Sequence, residues 1–167
     1  MFIVIVGIGV AGILLVFNVT TKASADPLIQ KQMLAIAEAL MEEVQAKPFT
    51  YCDPDDANAT IAADAAGCAT IPEVMGPEGE TRVNATTPSD NVNDYGPSLT
   101  INPIADITGT TIGGLGAYSA TIAVAGSALG GIAAAESLLI TVTVNGPGSE
   151  SLVLQGYRSR YAPNAVP

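Results

Sequence analysis

With 167 residues, 16 acidic and six basic side chains and neither His nor Trp, the chain carries a formal net charge of −10. Such a surface repels phosphate backbones and offers no basic patch to anionic lipid headgroups, which excludes nucleic acid as a partner. The lack of His removes the Ser-His-Asp triad, the usual general base and most zinc sites, so the composition implies neither an enzyme nor a cofactor.

Phe2 to Phe17 (FIVIVGIGVAGILLVF) is an unbroken apolar run. As a helix it would extend about 24 Å at 1.5 Å per residue, a little short of a ~30 Å hydrocarbon core, and Val19 to Thr21 could lengthen it. Gly7, Gly9 and Gly12 are poor helix formers in water but suit close packing of one rod against another. Residues 1–25 are therefore expected to form a retained transmembrane or filament-core helix. The alternative is a secretory signal cleaved after Ala25, since Ala23-Ser24-Ala25 has the small-residue pattern of a cleavage site. That alternative would release a secreted β-rich binding module.

A polar hinge, Asn18 to Pro27, leads to a second helical pattern over 26–47. Asp26 suits an N-cap and Pro27 the first helical position. Ile29, Met33, Ile36, Ala37, Leu40 and Val44 recur at helical spacing, while Lys31, Glu38, Glu42 and Gln45 fall mostly off that face. The apolar stripe is expected to cover a sheet, and Pro48 to stop the helix.

Residues 48–97 read as acidic loops. Nine carboxylates lie between Pro48 and Tyr95, opposed by Arg82 alone. Cys52 and Cys68 pair in an exported protein, closing a loop worth roughly 3 kcal/mol, or stay free in a reducing compartment. Cys52 to Asp56 and Ser89 to Asp94 carry oxygen ligands of the kind calcium uses, but not at EF-hand spacing, so solvated turns are expected there.

Residues 98–167 alternate with period two. Leu99 and Ile101 mark one strand; Tyr118, Ala120, Ile122 and Val124 a second; Leu138, Ile140, Val142 and Val144 a third. Asn145 to Gly148 is a turn before a fourth strand at Leu152 to Leu154, which predicts an antiparallel meander. In the tail, Arg158 and Arg160 share one face of an extended segment and Tyr157 and Tyr161 the other. The tyrosines are expected to pack and the arginines to pair with acidic loops or a neighbouring subunit.

Apolar rod, hinge, amphipathic helix and β-meander in that order resemble type IV pilins and pseudopilins. Within that class, PFTYCDPDD (Pro48–Asp56), DNVNDY (Asp90–Tyr95) and GYRSRYAPN (Gly156–Asn164) look like the minor pilin-like proteins of the mannose-sensitive haemagglutinin (MSHA) pilus. So do Phe2–Ile8, Leu14–Asn18, Ala23–Pro27 and Ala35–Val44. The resemblance implies an α+β, type IV pilin-like fold, with one long N-terminal helix packed on the meander. It also implies a structural minor subunit of the bacterial inner membrane, single-pass with a periplasmic head, that assembles or adheres with other pilin subunits and the pilus machinery. Members of the class carry a basic leader and Phe-Thr-Leu-Ile-Glu ahead of the rod. This chain lacks both, and a start truncated within the rod is the expectation.

Overall fold

The structure, a computed structural model, describes residues 27–166. Its helix, α1, spans 27–45. Pro27 is tolerated in the first turn because the N–H it lacks would find no partner there. Met33, Ile36, Ala37, Leu40, Met41 and Val44 are buried along one stripe, while Gln30, Lys31, Glu38 and Glu42 face water. The helix closes with Ala46 N–H on Glu42 O (2.9 Å), just before Pro48.

Four strands follow: β1 (Ser98–Ile101), β2 (Ser119–Gly126), β3 (Ser137–Asn145) and β4 (Ser151–Ser159). They form one antiparallel sheet in chain order, with Ile122 opposite Val142 and Val142 opposite Leu154. Strand alternation puts Ala120, Ile122 and Val124 of β2, and Ile140, Val142 and Val144 of β3, on the inner face. These side chains and the stripe of α1 make the main core. Each fully buried Val, Leu or Ile contributes about 1.5–3 kcal/mol relative to exposure.

Two glycines let the helix approach the sheet. A Cβ at Gly156 would lie 2.5 Å from Gln45 Nε2 and 3.0 Å from Met41 Sδ, and one at Gly146 3.0 Å from Met33 Sδ. The β3–β4 connection turns through Gly148 at φ 76°, a left-handed conformation that glycine adopts freely.

Cys52 and Cys68 are disulfide-bonded, with Cα atoms 5.6 Å apart. Cys52 sits with Ala59 and Ala62 in a second small core, and the C-terminal segment latches onto it. Asn164 Nδ2 donates to Ala59 O (3.1 Å) and Ala62 O (2.9 Å).

The meander and the helix-covered face follow the sequence pattern, but the long-helix fold does not. The described helix is the short α1, and no helix among the described residues is long and apolar enough to cross a membrane. The physical reason is composition: Lys31, Glu38, Glu42 and Glu43 give α1 a polar side along its length. The type IV pilin-like fold class with its long rod and the single-pass inner-membrane placement are corrected accordingly. The run Phe2–Phe17, with Gly7, Gly9 and Gly12, lies outside the described residues.

Ile122→Ala is expected to cost about 2–5 kcal/mol in urea unfolding, because a fully buried side chain is deleted, whereas exposed Val153→Ala stays within about 0.5 kcal/mol. Replacing both cysteines (Cys52→Ser with Cys68→Ser) is expected to lower unfolding free energy by about 3 kcal/mol, read from the same titration.

Candidate functional site: a carboxylate cluster

Two chain segments that the sequence marks as acidic turns converge in space. Carboxylate oxygens of Asp53, Asp55, Glu80 and Asp90 lie within 4.8 Å of one another, and so do those of Asp53, Glu73 and Glu78. Asp53, buried, belongs to both sets. The loop geometry that brings them together is local and well bonded. Asp53 Oδ1 accepts from Asp55 N–H (2.7 Å), and Asp53 N–H donates to Ile71 O (3.1 Å). On the other side, Asp94 Oδ2 accepts from Asp90 N–H (2.8 Å) and Asn91 N–H (2.6 Å), capping the 3-10 turn Val92–Tyr95. Asn91 is anchored in turn, its Nδ2 donating to the buried Thr50 hydroxyl at 2.6 Å.

Among the described residues no ion pair reaches the cluster. Arg82, the expected counter-charge, is committed elsewhere: its Nε and Nη2 each reach a Glu43 carboxylate oxygen at 2.7 Å. Its Nη1 donates to Ala105 O and Asp106 O, and Tyr95 OH donates to Glu43 Oε1 (2.9 Å). This bidentate, nearly dry pair ties α1 to three loops. Removing one partner from such a pair strands a buried charge.

The consequence is that several of these acids hold their protons to higher pH than usual. Burial, with the charges of Asp94, Glu78, Asp53 and Asp90 behind it, pushes Glu73 up to about 9. Burial, then the Asp94 and Asp90 charges, raises Glu80 to about 8. Asp90 is raised to about 6 by burial and the charges of Asp53 and Asp94, with Lys47 opposing weakly. Burial also raises Asp94 and Glu78. Glu73 Oε1 and Glu80 Oε2 are buried without a hydrogen-bond partner, as is Oδ1 of Asn93. Two things can quiet such oxygens: protons, or a hard divalent cation, for which six to eight oxygens at short range are the natural shell. The adjoining cavity, about 140 Å³ beside Glu80 and Asp94, is far below the size of an organic substrate site.

Asp56, adjacent in sequence, does different work. Its carboxylate accepts from the N–H groups of Asn58, Ala69, Thr70 and Ile71 at 2.7–2.9 Å, bridging the disulfide loop. These donors hold it well below the usual carboxylate range, the Ala69 bond foremost, against an opposing effect of burial.

The tail arginines are not brought to the acidic loops. Arg160 pairs with Glu136 (3.1 Å) and lies 4.0 Å from the Phe49 ring centroid and 4.6 Å from that of Tyr51. Arg158 Nη2 donates to Lys47 O (3.1 Å), and its guanidinium lies 5.1 Å from the Tyr161 ring centroid. Tyr157 and Tyr161 are largely exposed rather than packed. Sequence inspection missed the roles of Glu43, Glu73, Glu78 and Glu80, since loop convergence has no periodic signature. The nearest available signal was the excess of acids over Arg82. Comparison with protein-family models, curated proteins and solved structures finds no match to this chain.

The raised acids bind protons in the folded state that the unfolded chain releases, so their contribution to stability is full below about pH 4.5 and is lost as pH rises through 6, 8 and 9. Asp56 acts oppositely, its contribution being lost as pH falls below 3.8. In chelator, Tm is therefore expected to peak near pH 4–5 and decline toward pH 9. Millimolar Ca²⁺ is expected to raise Tm more at pH 8 than at pH 5, read by calorimetry at fixed ionic strength; equal shifts at both would contradict a carboxylate cation site.

Proposed function

We propose that the chain is a structural, non-enzymatic subunit: the head of a minor pilin-like component of an MSHA-type surface filament, acting through assembly with other pilin subunits and the pilus machinery, or through adhesion. The observation that carries this reading is the position of α1. The helix is built into the head, its stripe forming part of the main core, and the sequence ahead of Pro27 carries the apolar run Phe2–Phe17 followed by the polar stretch Asn18–Asp26.

Two further features support an exported structural role. The Cys52–Cys68 disulfide suits an oxidising compartment, and cross-linking the acidic segment stiffens a surface that must survive outside the cell. The carboxylate cluster fits a cation clamp or a protonated network better than acid–base catalysis. Glu73, pushed up to about 9 by burial, stays protonated near neutral pH and offers no general base there.

The test is mechanical shearing of surface filaments from the native cells, followed by mass spectrometry and subunit cross-linking. The chain is expected in the sheared filament fraction, cross-linked to other subunits through its head. Recovery only as a free soluble chain beginning at Asp26 would sink this reading in favour of a secreted binding module.

A further inference from the structure

The two edges of the sheet are treated differently by the sequence. β1 is four residues long and lies between Pro97 and Pro103, a short edge flanked by residues that cannot donate to a ladder. β4 is nine residues long, with no Pro and no charge between Glu150 and Arg158. Glu150 O accepts from Gly146 N–H, and Arg160 N–H donates to Glu136 O, both bonds running toward the β3 side. By strand alternation the even-numbered residues of β4 face β3, and Ser151, Val153, Gln155 and Tyr157 turn their N–H and C=O groups outward. Among the described residues none of these outward groups has a backbone partner beyond β4. Native proteins normally blunt such an edge with charge, Pro, a bulge or a cover, and the stretch of β4 from Ser151 to Tyr157 contains neither charge nor Pro.

We infer that the β4 edge is a self-pairing surface, and that its occupant is β4 of a second copy of this chain, antiparallel about a two-fold axis at Leu154. Charge selects this partner and register. The ion pairs among the described residues are Arg82–Glu43 and Arg160–Glu136, leaving Glu150 and Arg158 without an opposite charge. Antiparallel pairing about Leu154 sets Glu150 of each copy opposite Arg158 of the other, at both ends of the shared ladder. These even positions become non-hydrogen-bonded pairs, in which opposed side chains approach most closely, about 4.5 Å between Cα atoms. The outward groups of Val153 pair with Gln155, and those of Ser151 with Tyr157, giving about eight backbone hydrogen bonds across the axis. Two four-stranded sheets thereby become one continuous sheet of eight.

Glu38 and Glu42 border the same edge beside Leu154 and set the opposing force, since each comes nearer its own copy. Both are exposed, so salt at physiological strength screens them. One strand edge is a small contact, and the pairing belongs to the weak, transient class. A closed two-fold pair does not propagate, so it links two subunits rather than extending a polymer. It stands independently of the filament reading.

The test is site-specific disulfide trapping in the full chain with Cys52 and Cys68 retained. Leu154→Cys is expected to form a covalent dimer under mild oxidation at least about tenfold faster than Leu152→Cys, which this register separates by four residues along the strand. Association through any other part of the chain would raise both rates alike. In the Leu154→Cys background, Glu150→Arg or Arg158→Glu alone is expected to slow trapping roughly tenfold, and the two together to restore it. Equal trapping of the two cysteine variants, or failure of the double reversal to recover the rate, would overturn the inference.

Discussion

The contact on which the rest of the molecule depends is the burial of one stripe of α1 against the inner face of the sheet. Met33, Ala37 and Val44 are almost completely removed from water there, as are Ile122, Ile140 and Val142 opposite them. A four-stranded meander exposes one apolar face and cannot hold it in water unaided; the helix supplies the second layer. Gly156 and Gly146 set how closely that layer sits, and the Glu43–Arg82–Tyr95 junction then fastens the acidic loops to the back of the same helix. Every other feature, the disulfide loop included, hangs from this two-layer frame.

The distribution of charge follows from the frame. With six cations in the whole chain, each commitment matters. Arg82 goes to Glu43 and Arg160 to Glu136, so the loops around Asp53 and Asp90 are left with carboxylates facing carboxylates. In a partly buried setting such groups cannot all ionise, and they turn to protons or a hard cation. The same scarcity leaves Arg158 and Glu150 unmatched at the open edge of β4. A soluble monomer could tolerate either feature as a flaw. Both features follow from the same shortage of cations.

Much of the frame was legible in the sequence, because period is a local property. The helix stripe from Ile29 to Val44 and the alternation through Ile122, Ile140 and Val142 read directly onto the observed faces, and Asn145 to Gly148 is the β3–β4 turn. Met41 escaped because part of the room for it is left by the glycine at position 156, more than 100 residues away in the chain, where a Cβ would lie 3.0 Å from Met41 Sδ. The carboxylate cluster was half legible: Asp53, Asp55 and Asp90 stood out as acidic turns, but their convergence with Glu73, Glu78 and Glu80 depends on how long loops pack. The paired fate of Arg82 and the exposure of Tyr157 and Tyr161 were hidden for the same reason. The long N-terminal helix came from the family resemblance and not from the residue pattern; the helix among the described residues is α1, whose charged side belongs to water.

Native-state hydrogen exchange tests the central claim, that α1 is part of the head's core rather than a detachable arm. Amides of Met33 to Val44 should exchange only through global unfolding, with the same free energy and denaturant dependence as those of Ile140 and Val142 in β3. Exchange of the α1 amides by local opening, several kcal/mol below the β3 amides and insensitive to denaturant, would contradict it.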